Sequence, residues 1–178
     1  MDNRLRKNLA IGPLMRLYED TTAQVRGQIM QQLLGYALEI GGHDVVQNAV
    51  GVPDMVATHH ESGRLFAIEA KTGDPVVLGE RDLDGVRRPG GHGVVAAFIF
   101  PDTNPRWCLT DAQHLQPGRW QWWQLERKPA LDFGFAVQRV FLDLLIQVPG
   151  TVLLDRERLG DWGDRQRGSG WSAFSAPC

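Results

Sequence analysis

Two acids and a lysine lie at the ends of two neighbouring apolar runs. Asp54 opens the run DMVAT, and Glu69 and Lys71 close the run LFAIEAK. Paired carboxylates can hold a hard divalent cation such as Mg²⁺, which favours one or two carboxylates together with water and phosphate oxygens. A lysine beside such a cation can orient a nucleophile or stabilise a charged phosphoryl transition state. These residue types therefore suit the hydrolysis of a phosphodiester bond.

The spacing of the two runs predicts a tight antiparallel hairpin whose loop is HESG, residues 60–63. The register that follows pairs Thr58 with Leu65, Val56 with Ala67, and Asp54 with Glu69. Directly opposed residues have Cβ atoms about 4.5–5.5 Å apart, so the two carboxylates repel each other unless a cation compensates them. Because residues two apart on a strand share a face, Lys71 is expected to project beside Glu69.

Pro53-Asp54, followed by Glu69-Ala70-Lys71 at the end of an apolar strand, resembles the motif of the PD-(D/E)xK nuclease superfamily. This superfamily includes restriction endonucleases, Holliday-junction resolvases and related repair nucleases. The resemblance covers about residues 20–100, with a leading helix, a hairpin, a second helix and a further apolar strand. It implies that Asp54, Glu69 and the carbonyl of Ala70 bind Mg²⁺, with Mn²⁺ as a substitute, and that Lys71 is catalytic.

The first helix departs from the pattern of this superfamily. Many members carry a glutamate there that faces the metal, whereas the corresponding turn after Arg26-Gly27 carries Gln31. An amide can coordinate through its oxygen or hold a metal-bound water, but it adds no negative charge. Glu39 is the nearest acid on the same helix and has a different angular position.

The pattern of apolar and turn residues along the rest of the chain predicts an α/β fold, with a mixed central β-sheet flanked by helices. The resemblance to the nuclease superfamily implies a restriction-endonuclease-like core. A helix is expected from the N-cap candidates Asp20, Thr21 and Thr22 to Gly41, because apolar residues recur there every three or four positions. Further helices are expected over 79–88 and 131–148. The expected strands are 45–50, 54–58, 65–70, 94–100, 106–110 and 119–125.

The chain has 178 residues, of which 43% are apolar and 22% are charged, which predicts a single domain over 1–150 with a C-terminal extension over 151–178. The extension is polar and poorly patterned, and its end is expected to be mobile. No apolar run is long enough for a membrane span, and the start is not typical of a signal peptide. Two cysteines, Cys108 and Cys178, cannot form a disulfide framework, so a cytoplasmic protein is expected.

A net charge of −2 excludes a general positive field that would draw the protein to nucleic acid. If DNA is the partner, binding must depend on metal ions or on a local basic patch. Arginines that flank the motif in sequence are the candidates for DNA binding. They are Arg26 on the first helix, and Arg81, Arg87 and Arg88 on the helix after the motif.

Three tryptophans lie in the expected strand 119–125. Trp120 and Trp122 would share one face of that strand, and Trp123 would lie on the other face. They either stack on the bases of a nucleic acid or pack between sheet and helix, and packing is favoured because large aromatic residues dominate core burial.

Other features have structural explanations. His59 and His60 are expected in a solvated turn, and Cys108 in the core. On the helix over 131–148, Leu142 and Ile146 widen the apolar face, which fits either a homodimer or deep burial within one chain.

Three functions are consistent with this sequence. The first is a metal-dependent DNA nuclease that uses Mg²⁺ bound by Asp54 and Glu69, with Lys71 catalytic. The second is a catalytically inactive nuclease-fold subunit that binds DNA or assembles with a partner protein. The third is an unrelated α/β enzyme in which the two motif halves occur by accident and the two carboxylates lie far apart.

Overall fold

A computed structural model describes residues 1–48, 51–87, 91–100, 105–126 and 134–174. The helices are α1 (Asn3–Asp20), α2 (Ala23–Ile40), α3 (Glu80–Val86), α4 (Trp122–Leu125), α5 (Gly134–Gln147), α6 (Gly150–Leu153) and α7 (Arg156–Gly168). The strands are β1 (His43–Gln47), β2 (Met55–His59), β3 (Leu65–Lys71), β4 (Val76–Leu78), β5 (His92–Ile99), β6 (Arg106–Asp111) and β7 (Gly118–Trp120), and a 3₁₀ turn covers Ala112–His114.

The main sheet is mixed, which confirms the predicted α/β class. Its strand order is β1-β2-β3-β5-β6, and β3 and β5 are parallel while the other neighbours are antiparallel. A parallel pair needs a crossover connection, and α3 lies in the connection between β3 and β5. The strands β4 and β7 pair with each other in a separate two-stranded ribbon.

Alternate residues of the sheet face two different cores, because side chains of a strand alternate between its faces. Ile68, Ala96 and Phe98 belong to the larger core, which also contains buried residues of α1, α2, α5 and α7. Ala67 and Val95 belong to a smaller core, which also contains residues of α3, β4 and the 3₁₀ turn. The central strand β5 is buried on both faces, as its apolar sequence predicts.

The helix α2 confirms the predicted leading helix. Thr22 is its N-cap, and the hydroxyl of Thr22 accepts a hydrogen bond from the Val25 N–H at 3.3 Å, which satisfies one of the free donors of the first turn. The helix ends at Gly41, as expected. The preceding helix α1 was not predicted, because its fully buried residues form only a narrow stripe of Ala10, Leu14 and Leu17.

Part of the predicted strand 119–125 was wrong. Of the predicted strand, Arg119 and Trp120 lie in β7, whereas Trp122 begins the short helix α4, so the side chains of Trp120 and Trp122 do not share a strand face. Trp122 and Trp123 are 36% and 46% exposed, whereas Trp120 packs partly against the smaller core. The preference for packing therefore does not hold for Trp122 and Trp123.

The sequence predicted no regular element after Gly150, yet α6 and α7 form there. Leu153, Leu159 and Trp162 are buried in the larger core, and the hydroxyl of Tyr36 on α2 donates to the Leu159 carbonyl at 3.1 Å. The region through α7 is thus packed on the rest of the chain; residues 175–178 lie outside the described part.

The wide apolar face of α5 is covered within the chain. Leu142 is fully buried, and Ile146 packs against the larger core, so burial accounts for both residues. Across the described ranges, no helix combines the length and apolar character that a membrane crossing requires.

Candidate functional site

The hairpin has the predicted register. Strands β2 and β3 pair Met55 with Ile68, Val56 with Ala67, Ala57 with Phe66, and Thr58 with Leu65. Asp54 lies one residue before β2, and Glu69 lies one residue beyond Ile68, the last residue of β3 that pairs with β2. Continuation of the register therefore places these two acids opposite each other, as expected.

The Asp54 carboxylate is held by the main chain of β3. The register would place Pro53 opposite Ala70, but proline has no N–H donor, and the Pro53 carbonyl accepts from the Asn48 amide at 2.6 Å instead. The Ala70 N–H donates to Asp54 Oδ2 at 2.8 Å. Because the N–H and C=O of one residue in an extended strand point to the same side, the Ala70 carbonyl faces the same side as Asp54.

Glu69 and Lys71 share a face of β3, as the strand period predicts. Lys71 Nζ lies 2.8 Å from Glu69 Oε1 and 3.2 Å from Asp82 Oδ2. Glu69 is only 4% exposed, and its other oxygen, Oε2, is buried without a hydrogen-bond partner among the described residues. The ammonium of Lys71 thus lies between two carboxylates from different elements.

Asp82 is a member of this cluster that the sequence analysis missed. It is the third residue of α3, and its Oδ2 atom accepts a hydrogen bond from the Gly79 N–H at 2.8 Å, as in a capping box. The signal that could have found it is an acid at the third position of the helix directly after the motif. That acid is needed locally as a cap, and only packing of α3 against β3 brings it to Lys71.

Burial and mutual repulsion shift the ionisation of the acids. Burial raises the pKa of Glu69 to about 7; the hydrogen bond from Lys71 opposes this shift, and the charges of Asp54 and Asp82 add to it. Burial also raises the pKa of Asp54, partly offset by the hydrogen bond from the Ala70 N–H and by the charge of Lys71. Glu69 is therefore poised between its two protonation states near neutral pH.

The two other members of the cluster stay charged. Burial acts to lower the pKa of Lys71, but its hydrogen bond to Glu69 and the negative charges of Glu69 and Asp82 outweigh burial and raise it. Burial acts to raise the pKa of Asp82, but hydrogen bonds from the Gly79 N–H and from Lys71 outweigh burial and lower it. The Lys71–Asp82 ion pair is therefore maintained across neutral pH.

The donor chemistry of the cluster fits Mg²⁺. Asp54 and Glu69 offer two carboxylates, and the Ala70 carbonyl adds a third hard oxygen. The buried Oε2 atom of Glu69, which no hydrogen bond satisfies in the described ranges, would gain a partner from a cation. No group of three His, Cys, Asp or Glu side chains that could hold a metal occurs in those ranges, so such a site would depend on two acids, a carbonyl and water.

Gln31 contacts the main chain of the site. Its Nε2 atom donates to the Asp54 carbonyl at 3.2 Å, and the Asn48 N–H donates to the same carbonyl at 2.8 Å. Gln31 thus links α2 to the segment that carries Asp54, and its predicted role in a metal shell stays a prediction.

The predicted DNA-binding arginines have different surroundings. Arg26 on α2 lies over the Tyr18 ring, 4.2 Å from its centroid. Arg81 is exposed on α3 and lines a cavity of about 580 Å³ together with Gly51 and Val52. The guanidinium of Arg87 donates to the carbonyls of Ala112 and Leu115, which joins α3 to the 3₁₀ turn. Arg88 lies outside the described residues, and DNA binding by all four stays a prediction.

The two histidines and Cys108 lie where the sequence analysis expected them. His60 Nε2 lies 3.0 Å from Oδ1 of the exposed Asp44, and His59 is hydrogen-bonded to Ser62, which agrees with a solvated turn. Cys108 is buried and lies in the smaller core, as expected.

Comparison of the chain with protein-family models, with curated proteins and with solved structures finds no match. The resemblance to the PD-(D/E)xK nucleases therefore depends on the motif and its geometry.

Proposed function

We propose that the protein is a Mg²⁺-dependent DNA nuclease that hydrolyses phosphodiester bonds. The observation that carries the proposal is the convergence of Asp54, Glu69 and Lys71 at the carboxyl end of β3, with Asp54 held by the Ala70 N–H and Lys71 on Glu69. The main sheet and its helices follow the order of a helix, three antiparallel strands, a helix and a strand parallel to the third, with the short β4 of the separate ribbon inserted before α3; this order supports a restriction-endonuclease-like core.

Asp54, Glu69 and the Ala70 carbonyl would hold the metal. When bound, Mg²⁺ lowers the pKa of water and neutralises the negative charge that develops on the phosphate. The Ala70 N–H binds only Oδ2 of Asp54, so this contact leaves Oδ1 for the metal. If the Glu69 carboxylate bound the metal, the ion pair with Asp82 would still hold Lys71 at the site. The charged Lys71 can then donate to a phosphate oxygen or orient the attacking water.

The alternative is a catalytically inactive nuclease-fold subunit that binds DNA or assembles with a partner protein. The specific observation in its favour is the position of Lys71, whose ion pairs with Glu69 and Asp82 supply positive charge to the site from the protein itself. Gln31 in place of an acid, bound to the Asp54 carbonyl, also adds no charge that would attract a second cation.

Cleavage of plasmid, linear and branched DNA by the purified full chain tests the proposal. We expect cleavage with Mg²⁺ or Mn²⁺ and none with chelator, and loss of cleavage in Asp54→Asn. Asp44→Asn is the matched control, because Asp44 is an exposed aspartate on β1. Absence of Mg²⁺ and Mn²⁺ binding by calorimetry, with DNA binding retained, would instead support the inactive subunit.

A further inference from the structure

A cleft of about 440 Å³ opens beside the candidate site. It lies at the carboxyl ends of the parallel strands β3 and β5, and its lining includes Thr72 and Asp74 after β3 and Phe100 after β5. Ligands of open α/β sheets bind at this edge, and the volume falls in the range of ligand pockets. Thr72 directly follows Lys71, so the cleft begins one residue along the chain from the proposed catalytic lysine.

Aromatic rings form much of the cleft wall. Tyr18 and Phe100 lie with ring centroids 4.9 Å apart, and Trp122 contributes a ring that is 36% exposed. Arg106 lies over the Trp122 ring, 5.1 Å from its centroid. Flat aromatic and guanidinium surfaces are the platforms on which nucleic-acid bases stack.

Polar groups in the same cleft match the edge of a base better than a phosphate. Asp74 and Thr72 offer acceptors for the amino groups of a base, whereas the Asp74 carboxylate would repel a phosphate. Arg26 also lines the cleft; its Nη1 atom donates to the Tyr18 carbonyl at 3.3 Å, and its guanidinium carries further N–H donors for the acceptors of a base. The cleft thus combines stacking surfaces with both kinds of hydrogen-bonding group.

We infer that this cleft binds one unpaired base of a DNA strand whose backbone passes the Asp54–Glu69–Lys71 site. The inference rests on the proposed function and names its substrate class, which is DNA with a single-stranded segment. A base inside a duplex is stacked on both sides and paired, so it cannot enter a pocket unless it is unpaired or flipped out.

Fluorescence anisotropy of the full chain in chelator, where no metal-dependent cleavage occurs, tests the inference. The probes are a short fluorescein-labelled single strand, the same strand in a blunt duplex, and a strand of equal length made of abasic residues. We expect the single strand to bind more tightly than the duplex. Trp122→Ala is expected to weaken single-strand binding about tenfold, the effect of one lost stacking contact, and to leave duplex binding nearly unchanged.

Two comparisons separate base stacking from general attraction. Trp123→Ala is the matched control, because Trp123 is the neighbouring exposed tryptophan and is not among the described residues that line the cleft. The wild type should bind the abasic strand about as weakly as Trp122→Ala binds the natural strand. Equal affinity of the wild type for natural and abasic strands, or equal losses in the two tryptophan variants, would overturn the inference.

The outcome is separable from that of the proposed function. Single-strand preference that depends on Trp122, without cleavage by any metal, would support the cleft and reject the nuclease. Metal-dependent cleavage with no effect of Trp122→Ala on single-strand affinity would support the nuclease and reject the cleft.

Discussion

Lys71 Nζ lies 3.2 Å from Asp82 Oδ2, and this ion pair joins the end of β3 to the first turn of α3. The same ammonium lies 2.8 Å from Glu69 Oε1, so one lysine balances two carboxylates that belong to different elements. Because the Gly79 N–H also binds Asp82, the acid is held from the helix side as well. Asp82 is therefore part of the candidate site, although it lies outside the sequence motif.

Asp82 stabilises the fold through two interactions, its cap of α3 and its ion pair with Lys71, and two substitutions can separate them. Asp82→Ala removes both the cap and the ion pair, and we expect it to lower the free energy of unfolding by about 1–2 kcal/mol. Asp82→Asn keeps an acceptor for the Gly79 N–H, so about half of that loss is expected. Urea denaturation measures the loss in both variants. Asp84→Ala, at an exposed position of the same helix, is the control and should lower the free energy of unfolding by less than about 0.5 kcal/mol. Wild-type stability of Asp82→Ala would contradict this role.

Replacement of Lys71 should remove cleavage while the fold is kept. Without its ammonium, we expect the initial rate of plasmid nicking in Mg²⁺ to fall at least about 100-fold in Lys71→Ala, since a single charge-stabilising donor typically contributes this much. Lys7→Ala on α1 is the matched control. A Lys71→Ala rate close to that of the wild type would rule out a catalytic role.

The raised pKa of Glu69 predicts a pH-dependent loss of stability. Its pKa is about 7 in the folded chain against an ordinary value of 4.5, so the folded state binds this proton more strongly. Protonation of Glu69 therefore adds up to about 3 kcal/mol to the free energy of unfolding. This contribution is complete below about pH 4.5 and is lost as the pH rises through about 7.

The comparison of wild type with Glu69→Gln isolates this effect, because glutamine does not titrate and Asp54 is present in both. Between about pH 4.5 and 7.5, the free energy of unfolding of the wild type should fall relative to that of Glu69→Gln. A constant difference across this window would show that Glu69 has an ordinary pKa.

Bound Mg²⁺ should stabilise the fold above neutral pH. A ligand of the folded state at 100 times its dissociation constant contributes about 2.7 kcal/mol, which thermal melting detects as an increase in Tm. Little increase is expected at about pH 5, where Glu69 is protonated and cannot serve as a ligand. Chelator should reverse the increase, and Asp54→Asn should lack it. The same Tm increase in Asp54→Asn would place the cation elsewhere.

Two glycines of α7 provide a test of how α7 packs. A Cβ atom at Gly163 would lie 2.1 Å from the Tyr36 hydroxyl, whereas a Cβ at Gly168 meets nothing within 4 Å. We expect Gly163→Ala to lower the free energy of unfolding by about 2 kcal/mol, because the Tyr36 ring must shift within the core. Gly168→Ala is the control with little effect. Equal stability of the two variants would indicate that α7 does not pack on α2 in solution.

The hairpin and the central strand were predictable from local patterns. The two-residue period of β2 and β3, together with the loop at residues 60–63, restricts the register, because a slip by one residue would turn the buried side chains to the wrong face. The opposition of Asp54 and Glu69 follows from that register. The apolar run of β5 likewise predicts a strand covered on both faces.

The helices α1 and α7 and the short helix α4 were not predictable in the same way. Leu159 and Trp162 are the apolar side chains of α7 that are buried, and they are too few to produce a clear helical period. Their burial depends on the surface that α2 presents. At α4, the strand-like residues Trp122 and Trp123 adopt a helical turn, in which the Gln121 N–H donates to Gln124 Oε1 at 2.8 Å; this local cap competes with the strand propensity of the tryptophans.

The sequence alone determined which acids and which lysine share the end of one hairpin, since alternation and turn length act over a few residues. Only the tertiary structure decided that Asp82 reaches Lys71, that Glu69 is buried enough to have a pKa near 7, and that an aromatic cleft adjoins Thr72. These features depend on how elements far apart in the chain pack together. No local pattern encodes the distance between a helix and a strand.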